Sequence, residues 1–352
     1  MDGWFNKEIN TGDDSMGGKG FGYTPLKWRY IREFKNGKWG EGWMSENPTV
    51  VLNESAGVIQ YAQTIFEGMK AQRAADSDKI VLFRPYLHAQ RFNRSAAVLG
   101  MPEVPEEDFV QAVKAVVKAN RDRIPPAEEG ALYIRPTMFS TQAILGIRPA
   151  MEHQFRVFAS PVGGYFGADV KSIRMCTSRF DRAARNGTGH VKCGLNYAMS
   201  MQAIQDAKDR GFDECLYLDP VSQVYVEEAS AANIIFVDAN DTLIVPQSDT
   251  ILPSITRQSI IELAKEYEWV VEERPVHVCE LDKMKEAFLC GTAAIITPVR
   301  SIFVDRYDKD IVFEGTADGL GRVSKEIADI MFDIKSGYPA APEGWLEYIE
   351  EV

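Results

Sequence analysis

The sequence predicts an α+β protein of two domains, on three observations. At 352 residues the chain is longer than one hydrophobic core usually supports. Its second half holds short β-rich runs spaced too closely for parallel crossovers, so antiparallel pairing is expected there. Segments of helical periodicity stand between strands in both halves, which gives the α+β class. The break between domains is placed at Ser160-Pro161-Val162-Gly163-Gly164-Tyr165-Phe166-Gly167, since one proline and three glycines suit neither a helix nor a central strand. The expected division is a smaller domain over residues 1–160, a connecting loop over 161–170 and a larger domain over 171–352.

In chain order, Thr49 to Leu52 and Ile80 to Arg84 read as short strands. Glu106-Glu107-Asp108 opens an amphipathic helix. Phe109, Val113, Val116 and Val117 share one face of it, and the acidic start suits the positive end of the helix dipole. Leu132 to Arg135 reads as a strand that Pro136 ends. Past the break, strands are expected at Glu214 to Leu218, Val224 to Glu228, Asn233 to Val237 and Thr242 to Val245. Helices are expected from Thr256 to Tyr267 and from Asp318 to Ile334. The tail after Gly337 is proline-rich and carries Trp345 and Tyr348.

Composition excludes several classes. An apolar fraction of 45% is enough for sizeable cores and too high for a disordered chain. The 51 acidic residues outweigh 39 basic ones, for a net charge of -12 with no long basic block, so a nucleic-acid partner is not expected. Met1-Asp2-Gly3-Trp4 lacks the basic start of a secretory signal, and no run of about 18 apolar residues suggests a membrane span. The five cysteines are scattered without a CxxC pair, so neither a disulfide framework nor a zinc site is suggested; a reduced, cytoplasmic protein is expected. The four histidines stand far apart, and no metal set is predicted.

Gly17-Gly18-Lys19-Gly20-Phe21-Gly22 lacks the spacing of a nucleotide-binding loop. The turn Gly187-Thr188-Gly189-His190-Val191-Lys192 holds more chemical interest. It leads into a helix with Tyr197 near its start and Ala198, Met201, Ile204 and Ala207 as the expected apolar stripe. By itself a lysine there is ordinarily a solvated charge. Glu227 and Glu228 are neighbours on a strand, so one of them must face inward and needs a cationic or protonated partner. Leu252 to Arg257 and Cys290 to Ala294 can each present backbone N–H groups to an anion, although a Ser or Thr at a helix start is usually just a cap.

In order, these segments resemble the branched-chain amino acid aminotransferases, within the fold-type IV enzymes that depend on pyridoxal 5′-phosphate (PLP). The resemblance spans roughly residues 20 to 335. It runs through Tyr61, Phe66-Glu67-Gly68-Met69-Lys70, Phe83-Arg84-Pro85, His88-Ala89-Gln90-Arg91-Phe92 and Tyr133-Ile134-Arg135-Pro136. It continues with the Lys192 turn, Asn196-Tyr197, Glu228 to Asn233, Leu252 to Arg257 and Phe288 to Val299. It implies a smaller N-terminal α/β domain and a larger C-terminal domain with a mostly antiparallel, barrel-like sheet. The implied reaction passes the amino group of leucine, isoleucine or valine to 2-oxoglutarate. Other fold-type IV activities, a D-amino acid aminotransferase or an aminodeoxychorismate lyase, stand as the alternative, and a non-catalytic binding protein on the same fold as a third.

The resemblance also implies roles. Lys192 would carry the coenzyme, Glu228 would pair with its ring nitrogen, and Tyr197 would meet its phenolic oxygen. Arg91 would bind the phosphate, with Ile255, Thr256 and Thr292. Tyr133, Thr292 and Ala293 would lie near the substrate α-carboxylate, and Tyr61, Phe66, Gly68 and Lys70 would line the pocket. Leu145 and Ile147 match a loop that reaches a neighbouring subunit's site, which implies a homodimer. The sequence departs from the family at Leu195, where a glycine is usual, at Ala231-Ala232, and at Glu214, where a glutamine is frequent. Ala294 and Thr297 stand where some members have a redox thiol pair, so that switch is not expected. The chemistry is consistent with these roles: PLP is an electron sink that works best with a protonated ring nitrogen, and a lysine that carries it and moves protons must have a neutral amine.

Overall fold

Period-two alternation of buried and half-buried residues runs along Ala131–Ser140, as expected of a strand with one face on a core. That strand is central to the first of two sheets. A computed structural model describes residues 21–74, 79–127, 129–163, 172–293, 295–315, 319–337 and 341–349. The early strands are β1 (Arg29–Lys35), β2 (Lys38–Trp39), β3 (Trp43–Ser45), β4 (Thr64–Phe66), β5 (Met69–Arg73), β6 (Ile80–Phe83), β7 (Ala131–Ser140) and β8 (His153–Val162). Next come β9 (Ile173–Thr177), β10 (Glu214–Leu218), β11 (Val226–Ala229), β12 (Asn233–Asp238), β13 (Leu243–Pro246) and β14 (Val271–Arg274). The series closes with β15 (Met284–Gly291), β16 (Ile295–Val304), β17 (Lys309–Val312) and β18 (Leu346–Ile349). The helices are α1 (Gly57–Tyr61), α2 (Pro85–Val98), α3 (Glu106–Ala119), α4 (Gly194–Asp209), α5 (Ile255–Leu263) and α6 (Arg322–Lys335).

The first sheet has the order β18-β6-β5-β7-β8-β1-β2, with β3 on β1 and β4 on β7. Its described pairings are antiparallel. The last strand therefore returns to the first sheet, where Leu346 pairs with Phe83. In the second sheet β11, β10, β9, β16, β15 and β12 follow one another, and the pairing of Glu228 with Asn233 joins β12 back to β11. The result is a closed ring of mostly antiparallel strands, as the resemblance implied. The β9 pairings with β10 and β16 and that of β13 with β14 are parallel.

Several buried apolar cores follow from these layers. Phe92 of α2, Phe109 of α3 and Phe155 of β8 are fully buried beneath the first sheet, with ring centroids 5.3 to 5.8 Å apart. Each contributes roughly 1.5–3 kcal/mol of transfer free energy. Leu216, Ile234, Phe236, Leu289 and Ile302 belong to the second core, on the ring strands. Phe288 and Ile235 belong to a third core with Ile260 of α5 and Ile327 and Met331 of α6. Among the described residues no helix is long and apolar enough to cross a membrane.

Several sequence expectations change. Thr49 to Leu52 forms no strand; Val51 is 91% exposed, and the segment has no partner strand to complete a ladder. Pro136 does not end its strand, because β7 runs on to Ser140. Its carbonyl accepts from Glu67 N at 2.8 Å, so its missing N–H points to the same side, where Glu67-Gly68 separates β4 from β5. No ladder bond is lost there. Likewise Ser160, Pro161 and Val162 belong to β8, with Pro161 opposite Leu132. The rest of the expected loop, 164–170, lies outside the described residues. On α4 the buried face is Asn196, Ser200, Ala203 and Ala207. Of the stripe expected there only Ala207 is buried; Met201 is 69% exposed. Small and polar side chains let that helix sit close to the turn that precedes it. Helix α6 starts at Arg322 rather than near Asp318, and α5 ends at Leu263 rather than Tyr267.

Candidate active site

The Lys192 turn is held from three sides. Asn196 Nδ2 donates to the carbonyls of Thr188 at 2.7 Å and Val191 at 2.8 Å, and Thr188 Oγ1 donates to its Oδ1. Lys192 N donates to Ser95 Oγ of α2 at 3.1 Å, while its carbonyl accepts from Phe66 N. Gly189 passes so close to Thr250 that a Cβ would lie 2.2 Å from its carbonyl oxygen, so only glycine fits. Lys192 Nζ then reaches into a cavity of about 420 Å³ and donates to Tyr197 Oη at 2.9 Å. Removal from solvent, reinforced by Arg91, pushes the Lys192 pKa down to about 8. Burial, then Glu228, pushes the Tyr197 phenol up to about 12. The Phe66 and Tyr197 rings pack at a tilt with centroids 4.8 Å apart, and the Lys192 Nζ lies 5.0 Å from the Phe66 centroid.

Both neighbouring carboxylates of β11 are buried, where one was expected to be. Glu227 accepts from Thr250 Oγ1 and from Ser248 Oγ, which takes the place of a cation. Glu228 lines the cavity. It meets Arg182 Nη2 at 2.6 Å and Leu252 N at 2.8 Å, and its other oxygen accepts from Asn233 Nδ2 at 2.7 Å. Burial raises its pKa, and Arg182 acts against that. Arg182 also donates to the carbonyls of Gly189 and Thr250, tying the lysine turn to the carboxylate.

Arg91 is held by the carboxylate of Glu67. Its Nε and Nη2 reach the two oxygens at 2.7 and 2.8 Å, a bidentate pair, and Nη1 donates to the Pro253 carbonyl at 2.9 Å. His88 Nδ1 adds a 2.7 Å contact to the same carboxylate. Burial by itself would raise the Glu67 pKa, but Arg91 and His88 override it and hold the group well below the carboxylate range. The Pro253 contact aims Arg91 at the start of α5, where Ser254 caps Arg257 N and the N–H groups of Ile255 and Thr256 have no acceptor among the described residues. A guanidinium beside free helix N–H groups makes a cradle for a multiply charged anion.

Of the residues singled out from the sequence, the cavity gathers Phe66, Gly68, Arg91, Tyr133, Lys192, Tyr197, Glu228, Thr292 and Ala293. A side chain at Gly68 would displace Tyr133 from its place, since a Cβ would fall 2.0 Å from Tyr133 Oη. Others are not on its wall. Ile255 and Thr256 are buried in α5 and can offer only backbone. Lys70 points into a separate small cavity. Tyr61, at the end of α1, donates to the Leu145 carbonyl instead. Leu145 and Ile147 are 79% and 92% exposed, because their loop lies outside the wall of their own cavity. Sequence reasoning assigned no role to Glu67, Arg135 or Arg182. The first two stand inside motifs it quoted, and Arg182 supplies one of the two kinds of partner, cationic or protonated, expected for an inward carboxylate. Among the described residues no cluster of His, Cys, Asp and Glu could hold a metal.

The model of the amino-transferase class IV family matches residues 64–302. A branched-chain-amino-acid aminotransferase of Helicobacter pylori is 42% identical over 331 residues, covering 93% of this chain and 95% of that protein. The chain belongs to the branched-chain aminotransferases. The solved structure of the Escherichia coli branched-chain amino acid aminotransferase superposes with a TM-score of 0.76 at 28% identity, covering 91% of this chain and 99% of that one. That of Thermobaculum terrenum, described in its PLP form, gives 0.75 at 27% identity, covering 93% and 99%. As a branched-chain aminotransferase this chain depends on PLP, and the cavity fits that group. It pairs an amine of lowered pKa with a buried carboxylate, and the Arg91–α5 cradle suits a phosphate.

Proposed function

We propose that this enzyme transfers the amino group of L-leucine, L-isoleucine and L-valine to 2-oxoglutarate, giving the branched-chain 2-oxo acids and L-glutamate. The observation that carries this reading is one cavity that combines Lys192 and Glu228 with an aromatic wall and a second arginine, Arg135. Lys192 would bear the coenzyme, Glu228 its ring nitrogen, and Tyr197 its phenolic oxygen. Arg91 and the N–H groups of Ile255, Thr256 and Thr292 would hold its phosphate. When bound, PLP supplies an electron sink for the pair of electrons released at the substrate α-carbon. Lys192 Nζ takes the α-proton and returns it on the far side of the transfer, for which it must be neutral. Arg182 opposes the effect of burial on Glu228, and a carboxylate there would favour a proton on the ring nitrogen of the bound coenzyme.

Phe66 and Phe21 would give an aliphatic side chain an apolar wall, and Tyr133, Thr292 and Ala293, which line the same cavity, would receive the α-carboxylate. Lys70 supports the turn from behind by donating to the Ala293 carbonyl at 3.3 Å. Arg135 lies over the Phe66 ring at 4.7 Å and lines the cavity, so its guanidinium would take the distal carboxylate of a dicarboxylic substrate. The exposed Leu145 and Ile147, together with Tyr61, are consistent with a homodimer in which this loop closes the other subunit's site.

A substrate panel tests the reading. Activity is expected with L-leucine and 2-oxoglutarate, whereas activity with D-alanine alone would end it. Arg135→Met should raise the KM for 2-oxoglutarate by about 10- to 100-fold, the worth of a charge-assisted hydrogen bond, with a smaller effect on the half-reaction of leucine. Equal effects on both would remove Arg135 from the distal-carboxylate role. Attachment of PLP to apoenzyme requires neutral Lys192, so its rate should rise with pH up to about 8 and then level off. Stopped-flow absorbance across pH 6–10 would show this, and a flat profile would contradict it.

A further inference from the structure

A second cavity of about 20 Å³ shares Thr292 with the main one. Its walls include two lysines, Lys70 of β5 and Lys335 at the end of α6. Lys335 is only 9% exposed. Its ammonium lies 5.2 Å from the Phe83 ring centroid, and no carboxylate or carbonyl among the described residues accepts from it. Lys70 Nζ has the Ala293 carbonyl for one of its hydrogens. His88 also lines the space, but the Glu67 charge beyond it is already taken by Arg91 and the His88 Nδ1. The Cys290 thiol near Lys335 is kept neutral, since burial pushes it up to about 12. Two buried cationic groups thus face one cavity with no counter-charge among the described residues, an expensive arrangement unless something compensates it.

We propose that the cavity between Lys70 and Lys335 binds a single small monovalent anion of the chloride class. Size selects that class. The space admits a water-sized body, and a monatomic ion is the smallest anion that can fill it. The charge balance agrees. Left bare, burial and mutual repulsion push Lys70 down to about 7, and burial pushes Lys335 down to about 8. An anion restores both to the charged form. Through Lys70 it also steadies the Thr292–Ala293 turn, which borders the main cavity. This inference does not depend on which amino acid the enzyme transaminates.

The test is crystallographic. Holoenzyme crystals grown at pH 6.5 with sodium bromide, measured at the bromine edge, should show an anomalous peak between the two ammonium groups. No peak there in the wild type would overturn the proposal. Thermal unfolding gives an independent readout. At constant ionic strength, replacing gluconate by chloride at about ten times half-saturation should raise the melting temperature by about 2 °C. Lys335→Gln should abolish that difference. An equal chloride effect in wild type and variant would place the ion elsewhere, and if the variant does not fold, the bromide peak alone decides.

Discussion

Lys192→Ala is expected to lower the transamination rate by roughly 10⁴-fold, the upper range for loss of a positioned proton-transfer group. The variant should also lose the visible absorbance that survives gel filtration in the wild type. Both losses have one origin. The Nζ atom is the amine in the cavity held 2.9 Å from Tyr197 Oη, with its pKa brought down to about 8. Arg91, Arg135 and Arg182 also line the cavity, but a guanidinium stays protonated in proteins and cannot replace it. Lys70 points into the neighbouring space. A Lys192→Ala enzyme with a tenth of wild-type turnover would refute the assignment of the proton-moving base.

Glu67→Gln should destabilise the fold by about 3–5 kcal/mol, because it leaves the Arg91 guanidinium buried without its counter-charge. It should also weaken PLP binding, since the carboxylate holds Arg91 beside α5. The native pKa of Glu67 is depressed, so its contribution is present above the unfolded value of 4.5 and is lost as pH falls below it. Wild type should therefore lose melting temperature between pH 5 and 3 more steeply than the variant, which has no carboxylate to protonate. Calorimetry at several pH values with equilibrium dialysis of PLP measures both effects. Unchanged stability and PLP affinity at pH 7 would show that Glu67 does not organise the phosphate cradle.

Much of the fold was legible because its signals are local. The acidic first turn and apolar stripe of Glu106–Ala119 identify α3 without reference to any other residue. The close spacing of β10 to β13 permits only short connections, so antiparallel pairing follows. Errors arose where a neighbour overrules the local signal. Pro136 lies inside a strand because its missing N–H meets no demand for a donor, and Pro161 lies inside β8 opposite Leu132. Thr49 to Leu52 has β-forming residues but no strand beside it.

For the site, the sequence by itself determined which chemical groups are present: Lys192 after a glycine turn, Tyr197 on the following helix, the Glu227-Glu228 pair and the N–H-rich starts near Leu252 and Cys290. A motif records residue types and their order, and those are local. Only the tertiary structure decided their partners. It chose Glu228 to face the cavity and gave Glu227 to Thr250 and Ser248. It picked Arg182 as the counter-ion and made Glu67 the anchor of Arg91. It also separated Lys70 from the main wall and set it near Lys335, 265 positions along the chain. The reason is physical: a charge removed from water takes whichever counter-charge the packing brings within hydrogen-bond reach, and that distance exists only in the folded chain.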